Sequence, residues 1–162
     1  MAALNLELGL ANSGDAQVLA AFARDLIEAG LGWAYRPPRI AAIIDDADTV
    51  TLVARACARP VGFAAMRFGE DRSHLILLAV QPAHQRRGIA RRMLEWLLES
   101  ARVAGVASVH VELRADNAAA FALYRALGFA ETFRVPGYYR GRETAVRMLR
   151  MLRSPAMPDP LA

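Results

Sequence analysis

The apolar and polar positions of this chain change period several times, and each change marks an element. LNLELGL (Leu4–Leu10) alternates apolar with polar or small residues, as a half-buried strand does. Asp15 then stands where a helix cap belongs, ahead of AQVLAAFARDLIEAG, and Gly30 ends that helix. PPRIAAIIDDAD carries proline at its start and predicts a second, short helix. TVTLVARA and PVGFAAMRFG, parted by a few residues including Pro60, predict a hairpin. HLILLAV (His74–Val80) is a nearly unbroken apolar run, the pattern of a strand covered on both faces. The period then turns helical. Ile89, Met93, Leu94, Leu97 and Ala101 share one face; Arg91, Arg92, Glu95, Glu99 and Arg102 lie largely off it; Gly105 supplies the stop. SVHVELR (Ser108–Arg114) alternates cleanly, NAAAFALYRALGF reads as a short helix ending at Gly128, and two further strands flank PGYYRGRE. The order β α α β β β α β α β β predicts a single α/β domain with a mixed sheet over residues 1–153, followed by a Pro-rich tail at 154–162.

The stretch VQPAHQRRGIARRMLEWLL (Val80–Leu98) gathers Arg86, Arg87, Arg91 and Arg92 around Gly88. Glu among the arginines of the helix's polar face argues against a helix lying on an anionic membrane. A helix that reads DNA needs a helix-turn-helix partner upstream, and here a buried strand precedes it. A strand end, a glycine loop and a helix start make a different kind of site. The first N–H groups of a helix have no intrahelical partner and carry partial positive charge, so they accept phosphate oxygens. Gly88 lets backbone approach a ligand closely, and the small Ala90 keeps a second approach open. Neither GxGxxG nor GxxxxGK[ST] occurs. On this turn alone the simpler reading prevails, an ordinary strand-to-helix connection with solvated arginines.

Composition narrows the class. With 162 residues, 55% hydrophobic and 22% charged, the chain suits one folded domain. No apolar run approaches the roughly 20 residues of a membrane span. The N-terminus lacks a basic start and carries Glu7, so it does not read as a signal peptide, and the cytoplasm is expected. The single cysteine, Cys57, rules out an intrachain disulfide framework. In VARACARP it reads as a small strand-end residue, since no histidine stands near it to activate a thiol. His74, His84 and His110 show no metal-ligand spacing with it, and no metal is expected. The net charge is +4, and every basic residue is arginine. Genomic base composition accounts for that bias, while arginine's affinity for phosphate leaves an acidic ligand open.

The motifs together resemble those of the GCN5-related N-acetyltransferases. Gln85-Arg86-Arg87-Gly88-Ile89-Ala90 matches that family's Q/R-x-x-G-x-G/A pyrophosphate loop, LLAVQP before it looks like its fourth strand, and NAAAFALYRALGF (Asn117–Phe129) matches its N-x-x-A-x-x-x-Y-x-x-x-GF element. The resemblance covers roughly Val50 to Leu149. Within the family, VELRADNAAAFALYRALGF and GYYRGRETAVRM are similar to the bacterial ribosomal-protein-alanine N-acetyltransferases, whereas GLGWAYRPPRIAAIIDDAD departs from that subgroup. The resemblance implies a mostly antiparallel sheet of about seven strands with about four helices, splayed between strands four and five. It implies acetyl-CoA as cosubstrate. Backbone of Leu78, Ala79 and Val80 would pair with its pantetheine arm, and Gln85, Arg86, Arg87, Gly88, Ile89, Ala90 and Arg91 would hold the pyrophosphate. Asn117 would lie near the thioester. Glu112 matches the general base and Tyr124 the general acid. Trp33, Tyr35, Tyr138 and Tyr139 lie where the acceptor is bound.

The chemistry asked of these residues can be weighed. An α-amine with a pKa of about 8 costs about 1.4 kcal/mol to deprotonate at pH 7, against about 4.6 kcal/mol for a lysine near 10.4. One carboxylate, acting directly or through water, suits the easier task and favours an α-amine acceptor. Strand alternation puts His110, Glu112 and Arg114 on one face and Val109, Val111 and Leu113 on the other, so Glu112 points to the polar side. A glutamate partnered by a neighbouring arginine is the competing reading. Tyr124 lies seven residues past Asn117, two turns on and on the same helix face. A core tyrosine beside Phe121 and Leu127 is the alternative there. His84 and His110 read more simply as surface or packing residues. Val80 N–H is the group best placed to meet the thioester carbonyl oxygen.

The expectation is therefore an N-acetyltransferase taking acetyl-CoA and an amine acceptor, a protein N-terminus or a small molecule. It would need neither nucleic acid nor membrane, and would act as a monomer or homodimer. A non-catalytic CoA-binding module on the same fold and a basic nucleic-acid-binding domain are the rivals. The absence of lysine makes one expectation sharp: self-acetylation should fall on the chain's terminal amine and on no side-chain amine. Peptide mass mapping after incubation with acetyl-CoA checks this, and acetyl groups on internal peptides would contradict it.

Overall fold

Seven strands form one sheet: β1 (Leu6–Leu10), β2 (Thr49–Ala56), β3 (Arg59–Phe68), β4 (Arg72–Val80), β5 (Ser108–Arg114), β6 (Ala130–Tyr139) and β7 (Glu143–Met151), in the order β1-β2-β3-β4-β5-β7-β6. The computed structural model describes residues 5–139, 141 and 143–153; Leu4 and the proposed tail at 154–162 lie outside them. Every neighbouring pair is antiparallel except β4 and β5. Helices α1 (Ala16–Phe22), α2 (Pro37–Asp45), α3 (Ile89–Val103) and α4 (Ala118–Ala126) complete the fold. Number, order and type of the major elements agree with the patterning.

Two apolar layers hold the sheet between its helices. On one face Leu19, Ala20 and Phe22 of α1 and Ile40 and Ile43 of α2 pack on Val53, Phe63, Ala65, Leu77 and Ala79. On the other, Ile89, Met93, Leu94, Leu97 and Ala101 of α3, the face read from the periodicity, pack on strand residues that include Leu52, Ala64, Met66 and Val109. Each Leu, Ile, Val, Phe or Met side chain so taken from water contributes about 1.5–3 kcal/mol, and each alanine methyl less. β4 serves both layers, sending Leu77 and Ala79 one way and Leu75 and Val80 the other. That double burial is why its sequence is nearly continuous in apolar residues.

Three local expectations are corrected. Asp15 does not cap the first helix through its side chain. Asn12 caps a short 3₁₀ turn (Ser13–Asp15), and the Asp15 carboxylate accepts from Asn12 N–H at 2.9 Å and from Arg55 at 2.7 Å. The helix also does not run unbroken to Gly30: it widens into a π-helical turn over Ala23–Ile27. β6 runs straight through Pro136 and Gly137 to Tyr139 instead of breaking there. Proline is tolerated because β6 is an edge strand and the pairing with β7 is irregular between Val135 and Tyr139.

Cys57 is exposed and sits within the β2–β3 turn itself. Ala56 pairs with Arg59, so Cys57 and Ala58 form a two-residue turn with φ of +50° and +67°. Side chains other than those of glycine, asparagine and aspartate are strained in that conformation. Ala58→Gly should therefore raise stability by about 0.5–1 kcal/mol. Thermal unfolding should register it as a melting temperature higher by about 1–4 °C.

Candidate active site

The parallel pair is short. β4 and β5 are in register only over Arg72–Leu75 and Ser108–Val111. Beyond that point Leu77–Val80 pair with β3 alone, and Glu112–Arg114 with β7 alone. The strands part into a V, which opens a cleft of about 1130 Å³. Of the residues singled out in the sequence, Tyr35, Leu78, Glu112, Asn117, Tyr124 and Tyr139 line it. β5 alternation turns Val109, Val111 and Leu113 into the α3 layer, which also holds Tyr124 of α4. Glu112 projects to the opposite face, beside the end of the π-helical turn. The base and acid candidates thus come from opposite sides of the sheet and share a space only because the strands have parted.

The Glu112 carboxylate is held by two donors, Arg147 Nε at 3.0 Å and Tyr139 OH at 3.4 Å. Arg147 is its cross-strand neighbour on β7, so the arginine partner weighed as the alternative is present, and it stands inside the cleft. Its side chain is 42% and that of Glu112 30% exposed, and a pair this open contributes little stability. Its effect is to aim the carboxylate. Burial, and then the Glu112 charge, push the Tyr139 phenol above its ordinary value, so it remains a donor. Burial alone pushes Tyr124 up as well; its ring packs 5.5 Å from Phe129, and its hydroxyl has no bonding partner among the described residues. A phenol so reluctant to ionise supplies a hydrogen bond to a neighbouring anion sooner than a whole proton.

At the far end of β4 the glycine loop leads into α3 with its backbone exposed. Gly88 has φ of +77°, precedes α3 without any side-chain cap, and leaves open space where a Cβ would stand. The first-turn N–H groups of a 15-residue helix are therefore available. Arg86, itself at φ of +62°, and Arg87 are exposed and make no ion pair with a described residue. Arg91 instead pairs along the helix with Glu95 at 2.9 Å. Ile89 is buried in the core and offers only backbone, and Ala90 is half-buried. Gln85 Nε2 donates to the Val80 carbonyl at 3.0 Å and so clamps the loop to the strand end. Opposite, Gly62 of β3 is required by space: a Cβ there would stand 2.9 Å from the Ala79 carbonyl oxygen. Asn117 Oδ1 accepts from Ala120 N–H at 3.1 Å and caps α4, which fixes the helix carrying Tyr124.

The acceptor-side aromatics divide. Trp33 stays outside the cleft, with Nε1 donating to the Ala20 and Tyr35 carbonyls and the guanidinium groups of Arg24 and Arg36 5.2 and 4.9 Å from its ring. Tyr138 is 48% exposed and packs edge-on against Tyr139. Four other cleft residues had no site role from the sequence, His110 having been read there as a surface or packing residue. Glu28 is buried and accepts from the N–H groups of Ala34 (2.7 Å) and Tyr35 (3.1 Å), pinning the loop before α2. Arg114 donates to the Ile27 and Ala29 carbonyls at 2.8 and 2.9 Å, tying that segment to β5. His74 and His110, adjacent across the parallel pair, stack at 5.2 Å. Alternation along β5 already put His110 and Arg114 beside Glu112; Glu28 had no comparable signal.

Comparison with known proteins agrees with this geometry. Residues 19–129 match the profile described as the Acetyltransferase (GNAT) family. The chain is 43% identical over 89 residues to the [Ribosomal protein bS18]-alanine N-acetyltransferase of Escherichia coli (strain K12), a stretch covering 53% of this chain and 60% of that one. It is 51% identical over 63 residues to the N-alpha-acetyltransferase RimI of Mycobacterium tuberculosis, covering 39% and 38% of the two chains. The chain thus spans about 60% of the length of the curated E. coli relative. Among solved structures, the Escherichia coli ribosomal-protein-S18-alanine N-acetyltransferase superposes with a TM-score of 0.79 at 26% identity, covering 95% of this chain and 98% of that one. An acetyltransferase from Salmonella typhimurium, solved with its cofactor acetyl-CoA, superposes with a TM-score of 0.81 at 22% identity, covering 96% and 99%, and so shares the fold.

The stacked histidines give the site a pH dependence. Burial lowers the pKa of both; Arg72, Arg67 and Arg147 push His74 further down, and His74 and Arg72 do the same to His110. The folded state therefore favours neutral imidazole. Its contribution to stability is complete above the unfolded value near 6.5 and is lost as pH falls through the folded values. Thermal unfolding should show the melting temperature falling between about pH 7 and pH 5, and His74→Phe should flatten that fall.

Proposed function

The chain belongs to the acetyltransferase (GNAT) family, and from that premise we propose that it transfers an acetyl group from acetyl-CoA to a primary amine, by direct transfer in a ternary complex. A protein N-terminal amine is the favoured acceptor and a small-molecule amine the alternative. The observation that carries this reading is the parting of β4 from β5, which brings Glu112 and Tyr124 from opposite faces of the sheet to one cleft. The residues present fit the cosubstrate. β4 offers a strand edge at Leu78, Ala79 and Val80 that β5 leaves unpaired, and Gly88 with the uncapped start of α3 suits a pyrophosphate. Arg86 and Arg87 add charge there, while Arg91, engaged with Glu95, contributes mainly its backbone N–H.

When bound, acetyl-CoA supplies the thioester that is the acetyl donor. The chain's own residues do the rest. Glu112, aimed by Arg147 and Tyr139, takes the acceptor's proton directly or through one water. Val80 N–H polarises the carbonyl oxygen. Tyr124, protonated by virtue of its burial, hydrogen-bonds the departing sulfur. Asn117 holds α4, and Tyr35 and Tyr139 wall the acceptor side. Likeness to the named bS18-alanine and N-alpha-acetyltransferases supports an α-amine acceptor, as does the lower cost of deprotonating one. We read residues 1–153 as one catalytic unit, cytoplasmic, acting as a monomer or homodimer without metal, nucleic acid or membrane. Among the described residues no helix is long and apolar enough to cross a membrane, and no cluster of three or more His, Cys, Asp or Glu is placed to hold a metal ion.

Glu112→Gln separates this reading from a CoA-binding module. Calorimetric affinity for acetyl-CoA should stay within about twofold of the parent, while turnover of an N-terminal peptide amine falls by a factor on the order of 10²–10⁴. Failure of the parent chain to bind acetyl-CoA would overturn the cosubstrate assignment. Unchanged turnover in the variant would remove Glu112 as the base.

A further inference from the structure

The cleft holds two proton-exchanging groups that the steps above leave idle. His110 lies two residues before Glu112 on the same face of β5, and His74 is its neighbour across the short parallel pair. Both line the cleft. Successive same-face residues on a strand stand about 6.6 Å apart, a gap one water bridges. His110 is half-buried, whereas His74 is exposed. Ser108 Oγ lies 3.0 Å from His110 Nε2, which fixes the ring and leaves Nδ1 for exchange. The three side chains thus form a row on one face of the sheet, Glu112 and His110 half-buried and His74 exposed.

The reaction needs such a row. An ammonium acceptor must lose one proton before its nitrogen forms the C–N bond. The nitrogen loses a second on becoming an amide, while the C–S bond breaks and the electron pair leaves on sulfur. One of the two protons ends on sulfur, and the other must reach water in every turnover. Glu112 faces two donors, Arg147 and Tyr139, and neither can accept a proton. Imidazole is the side chain matched to proton traffic near neutral pH.

We propose that His110 and His74 form the proton exit of this active site, His110 receiving the acceptor's proton from Glu112 through one water and passing it by way of His74 to solvent. The proposal rests on the acetyl-transfer reading above. The charged and titratable groups facing the pair are Arg72 on β4, Arg67 on β3, Arg147 on β7 and Glu112 on β5. All but Glu112 are cationic and keep the resting imidazoles neutral, ready to accept. A proton arriving there is repelled outward, which gives the row its direction.

The test is the pH profile of kcat/KM for a peptide N-terminal amine, with His110→Phe keeping the stack and removing the exchangeable nitrogen. In the parent, the logarithmic slope should be about one per pH unit below the amine's value near 8 and steepen toward about two at a lower pH, under the ordinary imidazole value near 6.5, because both histidines are shifted down. In His110→Phe the slope should stay near one through that range. At pH 7 its kcat should fall about tenfold or more, with the calorimetric affinity for acetyl-CoA unchanged. His74→Phe should give the same loss in smaller measure, and the double variant should be no worse than His110→Phe, because the two act as one unit. His110→Gln, which keeps a hydrogen bond to Ser108, serves the same comparison should the Phe variant fail to fold. An unaltered profile with kcat within about twofold in these variants would overturn the proposal alone. No transfer by the parent chain to any amine, with acetyl-CoA bound, would overturn the functional reading and this one with it.

Discussion

The site depends on the length of one strand pairing. Among the described residues β4 and β5 are the only parallel neighbours in the sheet, and they stay in register for four residues. Each strand is then claimed from its other side: β4 by β3, across a bulge opposite Ala65 and Met66, and β5 by β7 along its whole length. Backbone groups on the inner edges of the V lose their ladder partners, a cost a folded protein accepts only where something else is to pair with them. The open edge of β4 is thus free of β5 from Leu77 to Val80.

Parting the strands also solves a problem of access. A sheet separates two faces, and here the faces are chemically unlike. Tyr124 lies in an apolar layer where burial keeps it protonated, and Glu112 lies in a polar groove among arginines and histidines. The gap brings a phenol kept protonated by burial and a carboxylate held by Arg147 and Tyr139 into one cleft. Neither environment would serve both. The exposed ion pair between Glu112 and Arg147 fits the same logic, since it adds little stability and its value is orientation.

The segment from Leu26 to Tyr35 is held by polar anchors as well as by packing of Leu26, Ile27, Trp33 and Tyr35 on the core. Glu28 gathers the N–H groups of Ala34 and Tyr35, and Arg114 gathers the carbonyls that the π-helical turn leaves free at Ile27 and Ala29. These bonds fix the segment in which the sequence departs from the ribosomal-protein-alanine N-acetyltransferases that it resembles elsewhere. A loop secured by directional bonds at two points can change the residues between them without disturbing the sheet, and this is where acceptor choice in such a fold has room to vary.

Much of this was written locally in the chain. Alternating or unbroken apolar runs marked the strands, and helical runs with their prolines and glycines marked the four helices, because burial leaves its pattern in the sequence. Alternation along β5 placed Glu112 on the polar face without reference to any other element, and Gly88 marked the start of α3. Patterning erred where a non-local partner decided. Asp15 left its capping position for Arg55, forty residues on, and Pro136 was absorbed into β6 because that strand lies at the sheet edge. Tertiary structure alone determined that β4 and β5 part after Leu75, that Arg147 and Tyr139 converge on Glu112, that Glu28 turns inward, and that two histidines 36 residues apart stack in the cleft. The reason is physical: burial along one element imprints a period that a single stretch of residues carries, whereas registry between strands distant in the chain belongs to the sheet as a whole.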